Sequence, residues 1–170
     1  LLKKNSYLMI FNIKKKLQNF FKYLAYKMFS LAHGKIKGVL SADNKQVQVN
    51  KILISENLYK IYTLQSARVY TDTINDTAFI IDNYLVGGPS FQIRNVKNDR
   101  IEKNIILNKG TPRIQKKLKG SVLSLLTGGA GNSNYFHWLF DVLPRFEILS
   151  KLKNIKNIDY FLLPSLDEKF

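Results

Sequence analysis

The stretch SVLSLLTGGAGNSNYFHWLFDVLPR, residues 121–145, decides the fold. It opens with a short apolar run, Val122–Leu126, which has the length and composition of a buried strand. Gly128-Gly129-Ala130-Gly131 follows and ends that run as a turn. From about Tyr135 apolar residues recur at helical spacing, and a second short apolar run, Ile158–Leu163, comes after them. Strand, glycine-rich turn, helix and strand make one βαβ unit, the start of a Rossmann-like α/β domain. The two runs are therefore expected to be adjacent parallel strands, joined right-handedly by the helix that starts near Asn134.

Upstream, the segment 41–127 has a different texture, with short β-branched and aromatic runs between turn formers. Strands are expected at Val47–Ile54, Tyr59–Leu64, Ala67–Thr71, Ala78–Ile81, Tyr84–Val86, Phe91–Val96 and Ile105–Leu107. Asp82-Asn83, Gly87-Gly88-Pro89, Asn98-Asp99 and Lys109-Gly110 mark the connections. Before this β-rich region, Ile10, Ile13, Leu17, Phe20, Phe21, Leu24, Met28 and Leu31 step by three and four, with Lys15, Lys16, Lys22 and Lys27 set away from them. That pattern predicts an amphipathic basic helix over 10–31, ended by Gly34 and Gly38. Two uses fit it. The helix packs on its own domain, or it lies on a membrane surface with lysines toward anionic lipid. Its lysines interrupt any apolar window long enough to span a bilayer, and they fall where a signal peptide needs an unbroken apolar core.

Composition sets the outer bounds. Of 170 residues, 45% are hydrophobic, enough for one sizeable core. With no cysteine, a disulfide framework and a thiolate metal site are excluded, and with two histidines, His33 and His137, a multi-histidine zinc site is not expected. The absence of cysteine favours a reducing compartment, so the expected location is cytoplasmic, and peripheral on the inner face of the membrane if the front helix attaches there. The net charge of +15 is concentrated at the front, where residues 1–40 hold nine lysines and no acid. A nucleic-acid partner is not expected, because the remainder of the chain is far more balanced. The organisation read from this is a basic helical segment, 1–40, and an α/β portion, 41–170, in which 121–170 begins the motif region. Leu-Leu at the start and Asp-Glu-Lys-Phe directly after a strand-like run suggest a fragment.

Within the opening stretch, Asn134 is a competent N-cap, and His137, Asp141 and Arg145 follow at four-residue steps. At about 100° per residue they form one polar stripe, with Phe136, Leu139, Phe140 and Leu143 roughly opposite. Pro144 lacks an amide hydrogen, and the apolar phase shifts after it, so a kink or restart is expected there and Arg145 can leave the line. As surface pairs the three contribute only about 0.3–0.5 kcal/mol per contact. Lining a cleft at the carboxyl end of a parallel strand, they would instead make a general base, His137, with a carboxylate to orient it. Trp138 beside them suits stacking on a sugar or base. The glycine loop could approach a phosphate, yet it matches neither the dinucleotide fingerprint nor the P-loop. Ser133 lacks the setting of a hydrolase nucleophile.

At these residues the chain resembles glycosyltransferase family 61, including its bacterial capsular-polysaccharide members. The family's mark is an Asn, two residues, His-Trp, two residues, Asp, one residue, Leu-Pro-Arg; here these are Asn134, His137-Trp138, Asp141 and Leu143-Pro144-Arg145. The segments 67–82 and 87–94 resemble, more loosely, the β-rich region before that motif. The resemblance implies an inverting transferase of GT-B architecture, of which this chain covers the first portion and by itself is expected to be inactive. It implies His137 as base or acceptor-orienting group and Asp141 as its partner or the alternative base. Asn134 and Trp138 would shape the substrate pocket, and Arg145 would brace Asp141 or face a phosphate. The implied partners are a nucleotide-sugar donor and a glycan acceptor. No cofactor is expected; a divalent metal stays open, although no Asp-x-Asp pair occurs. The alternative from another class is a non-catalytic basic module that binds anionic lipid or polysaccharide through residues 1–40.

Overall fold

The computed structural model describes residues 2–73, 76–92, 100–126, 135–152 and 157–163. Helix α1 spans Leu2–His33. Gly34, at φ +82°, turns the chain out of it, a conformation that costs glycine nothing. The last carbonyl of the helix, that of His33, accepts from Arg68 Nη1 at 3.3 Å, and Arg68 Nη2 also donates to Asn83 Oδ1 at 3.1 Å. A cation at this end complements the helix dipole. Burial of that guanidinium lowers its pKa.

The β-rich region is a sheet in the order β1 (Gly38–Leu40), β6 (Tyr84–Val86), β5 (Asp76–Ile81), β4 (Arg68–Thr73), with β7 (Phe91–Gln92) also paired to β5. β1 runs parallel to β6, and the other pairings are antiparallel. Asp82 and Asn83 both take positive φ, as a two-residue hairpin turn between β5 and β6 requires. Between β6 and β7 the chain leaves the ladder at Gly87–Ser90. There the Ser90 hydroxyl stands in for the missing strand, accepting from Phe79 N at 3.0 Å and donating to Phe79 O at 3.3 Å.

Alternation along β5 divides the core in two. Ala78 and Ile80 join Tyr70, Leu85, Ile36, Ile105 and Ile106 on one face. Ile81 and Val86 meet Val47 on the other, under the antiparallel hairpin of β2 (Val47–Ile54) and β3 (Asn57–Leu64). The expected strand Ile105–Leu107 is instead part of a helical turn, α2 (Ile106–Lys109). Ile105 and Ile106 are both buried on the same cluster, which two successive strand residues cannot be. Asn104 starts that turn, its Oδ1 accepting from Ile106 N at 3.2 Å and its Nδ2 donating to Phe91 O at 3.1 Å. β1 was not anticipated, since three residues carry no measurable period. The expected strand Phe91–Val96 holds at Phe91–Gln92; residues 93–96, like the Asn98-Asp99 connection, lie outside the described residues.

The βαβ region forms a separate small layer. β8 (Val122–Ser124) pairs in parallel with β9 (Tyr160–Leu162), in the register Val122↔Tyr160 to Ser124↔Leu162, both shorter than the runs that predicted them. Between them come α3 (Tyr135–His137), a π turn (Trp138–Val142) and α4 (Pro144–Ser150). Leu125 and Val142, 1% and 0% exposed, centre a third cluster with Leu123, Trp138, Phe146 and Leu163 around them. The fold is thus mixed α/β.

Over residues 11–24, α1 does not pack on its own domain as one of the two expected uses required. Residues 11–24 are all exposed, whereas the Tyr26 ring lies against Gly110 of the body. Tyr26, Phe29 and His33 face the body, the last donating from Nε2 to Arg113 O at 3.0 Å. The apolar stripe lies on the opposite side of the helix, so the residues that fold the helix down are not the ones that made it amphipathic. No described helix is long and apolar enough to cross a membrane.

Candidate active site

Pro144 shapes the segment that carries the polar stripe. A proline inside an α-helix leaves a carbonyl of the preceding turn without its donor and crowds it. Here the chain widens first: Leu143 N donates five residues back to Trp138 O at 3.0 Å, and Pro144 becomes the first residue of a new helix, where its missing amide costs nothing. The restart expected from the phase shift is therefore a π turn.

Across this turn His137 Nδ1 meets Asp141 Oδ2 at 2.6 Å. A carboxylate only accepts, so Nδ1 carries the hydrogen, and in the neutral ring the lone pair is on Nε2. The side chains are 31% and 42% exposed, which leaves the ring open to an incoming group. An oriented, accessible imidazole of this kind can take a proton from a hydroxyl.

Arg145 does not pair with the Asp141 carboxylate. Its Nε donates to the Asp141 main-chain carbonyl and its Nη1 to Leu126 O, each at 3.1 Å. The guanidinium thus ties the helix to the chain just beyond β8. Burial lowers its pKa, and the nearby Asp141 charge opposes that shift. Arg145 thus holds the Asp141 main chain rather than its carboxylate. Trp138 also differs from expectation. Its ring packs into the third cluster with Leu125 and Val142, because the π turn aims that side of the segment at β8 and β9. Tyr135, Phe136, Phe140 and Leu143 are exposed instead, so the apolar side opposite the stripe is not the buried one. Asn134 and the loop Gly128–Gly131 lie outside the described residues.

An open cleft of about 1990 Å³ separates the β-rich sheet from the βαβ layer. Asp141 and Arg145 line it and His137 does not, so only part of the stripe faces the cleft. Lys116, Lys117 and Lys119 line it too. Their place on the cleft is not legible in the sequence, since nothing in their spacing says which way an irregular segment turns. Among the described residues no cluster of three or more His, Asp or Glu could hold a metal ion. No family model, curated protein or solved structure matches the chain. The site therefore rests on its own geometry and on the motif.

Proposed function

We propose that the chain is part of an inverting glycosyltransferase, with a GT-B architecture built on Rossmann-like units, acting in cell-surface or capsular polysaccharide biosynthesis. It would transfer a sugar from a nucleotide-sugar donor to a glycan acceptor. The observation that carries the reading is the His137–Asp141 hydrogen bond at 2.6 Å, formed within the seven-position motif from Asn134 to Arg145. His137 Nε2 removes the acceptor hydroxyl proton while the oxygen attacks the anomeric carbon. The bond from that carbon to the nucleoside diphosphate breaks on the opposite face, which inverts the centre. Asp141 stabilises the imidazolium as it forms and fixes which nitrogen acts. Arg145 holds the Asp141 backbone in place. Trp138 supports the turn from the core side, and Asn134 is proposed to contact substrate. The lysines at 116, 117 and 119 put positive charge on the cleft that Asp141 lines, as a departing diphosphate needs.

The test is nucleoside diphosphate release by the full-length protein from a panel of UDP- and GDP-sugars with oligosaccharide acceptors. His137→Ala and Asp141→Asn should each lower the rate by about 10²-fold or more. Near-wild-type turnover in both would sink the assignment.

The exposed stripe of α1 favours a second reading, a non-catalytic module that acts through residues 1–40. Under it, replacing the lysines of that segment abolishes function. Under the first reading, catalysis survives the replacement.

A further inference from the structure

We infer that α1 docks on an anionic lipid bilayer, lying in the headgroup plane with its apolar stripe among the acyl chains; this does not depend on the transferase reading. The first support is the direction of the stripe. Ile13, Leu17, Phe20, Leu24, Met28 and Leu31 are all exposed, the last at 88%. Together with Phe21, also exposed, they occupy an arc about 100° wide that runs about 27 Å along the helix. The body meets the helix at Tyr26 and His33, which with the half-buried Phe29 lie on the other side, so the fold holds the stripe outward.

Charge selects the occupant. Lys14 borders one edge of the arc and Lys16 and Lys27 the other, with Tyr23 beside Lys27, whose Nζ sits 5.5 Å from that ring's centre. Lysines at the rim of an apolar stripe can keep their stems on the acyl region and their ammonium groups among anionic headgroups. A second copy fits poorly. Stripe-to-stripe pairing would bring two sets of lysines together, and residues 1–40 contain no acid to offset them. Crossing the bilayer is not open to this helix either, since no window of it is apolar enough.

The chain has no cysteine, so a single spin label can be placed at will. Leu24→Cys reports the stripe and Gln18→Cys the polar side. With vesicles of equal phosphatidylglycerol and phosphatidylcholine, the label at 24 should become shielded from a water-soluble relaxation agent while that at 18 stays accessible. With phosphatidylcholine alone, both should stay accessible. In co-sedimentation with the mixed vesicles, Lys14→Gln/Lys16→Gln/Lys27→Gln should lower the partition coefficient on the order of 100-fold, about five-fold per lysine. Phe20→Ser/Phe21→Ser should abolish pelleting. Equal accessibility at 18 and 24 on the mixed vesicles would overturn the inference. So would binding that is indifferent to lipid charge, or a lipid-free dimer in which the label at 24 is already shielded.

Discussion

Arg145 is the residue on which the geometry of the candidate site turns, and Arg145→Met isolates its contribution. The guanidinium makes two hydrogen bonds of 3.1 Å to main-chain carbonyls, one on Leu126 and one on Asp141. Charge-assisted bonds contribute about 1.5–3 kcal/mol each. Against this stands the cost of burying the charge, visible in the lowered pKa of the group. Methionine refills much of the volume but donates to neither oxygen. The net loss should be about 2 kcal/mol, which is about a 30-fold rise in the local opening constant. Because the third cluster has its own buried residues, that opening should be confined to the βαβ layer. Amide hydrogen exchange measures it directly. Leu125 N, bonded to Leu162 O at 2.9 Å, and Leu143 N, bonded to Trp138 O at 3.0 Å, should each exchange about 30-fold faster, while Ile80 in β5 is unchanged. Arg145→Lys should fall between, since an ammonium lacks the fork that reaches both carbonyls. Unchanged exchange at Leu125 and Leu143 would refute the brace, and equal acceleration at Ile80 would refute the separation of the two layers.

Three further outcomes are expected. Gly88 has φ +96°, and a Cβ there would stand 2.7 Å from the Tyr62 ring, so Gly88→Ala should cost about 1–3 kcal/mol in urea unfolding, and Tyr62→Phe should not rescue it because a ring carbon is equally close. Asn104 is fully buried and bonds both Phe91 O and Ile106 N, so Asn104→Leu should lower stability by about 2–3 kcal/mol, and Asn104→Asp should lower it as well, since a carboxylate cannot donate to Phe91 O. If His137 and Asp141 act as one unit, the double variant His137→Ala/Asp141→Asn should lose little more transfer rate than the worse single one, with stability changed by less than about 1 kcal/mol in each; multiplicative losses would separate them.

What the sequence made legible was periodic, and what it hid was either short or non-local. Eight residues of β2 alternate long enough to give their limits, and the parallel pairing of β8 with β9 followed from an apolar run on each side of a helix, although the strands are not the buried ones expected, Val122, Tyr160 and Phe161 being exposed. The three residues of β1 offer no period at all. At Ile105–Leu107 a run of branched side chains looked like a strand, yet the Asn104 amide competes for the backbone and turns it helical. In the candidate site the four-residue step between His137 and Asp141 was enough to place them together, because helix geometry is local. The partners of Arg145 were not legible in full. One of its acceptors, Leu126 O, lies 19 residues away and is reached only through the third dimension.

The same distinction explains the front of the chain, where the period is legible and its destination stays open between two uses. A hydrophobic stripe states that a helix face leaves water, without stating what covers it. In α1 the covering surface would have to come from the body, and among residues 11–33 the body meets the helix near Tyr26 and His33, on the other side. Arg68 and His33 fix that contact by capping and by a bond to Arg113 O, neither of which needs the stripe. Docking by anchors at one end leaves the apolar face exposed from Ile13 to Leu31. A helix whose anchorage and amphipathicity are carried by different residues can therefore be altered in one without the other. Substituting the stripe should leave the fold of the β-rich sheet intact, whereas substituting Arg68 should loosen the helix from the body and leave its affinity for an anionic surface unchanged.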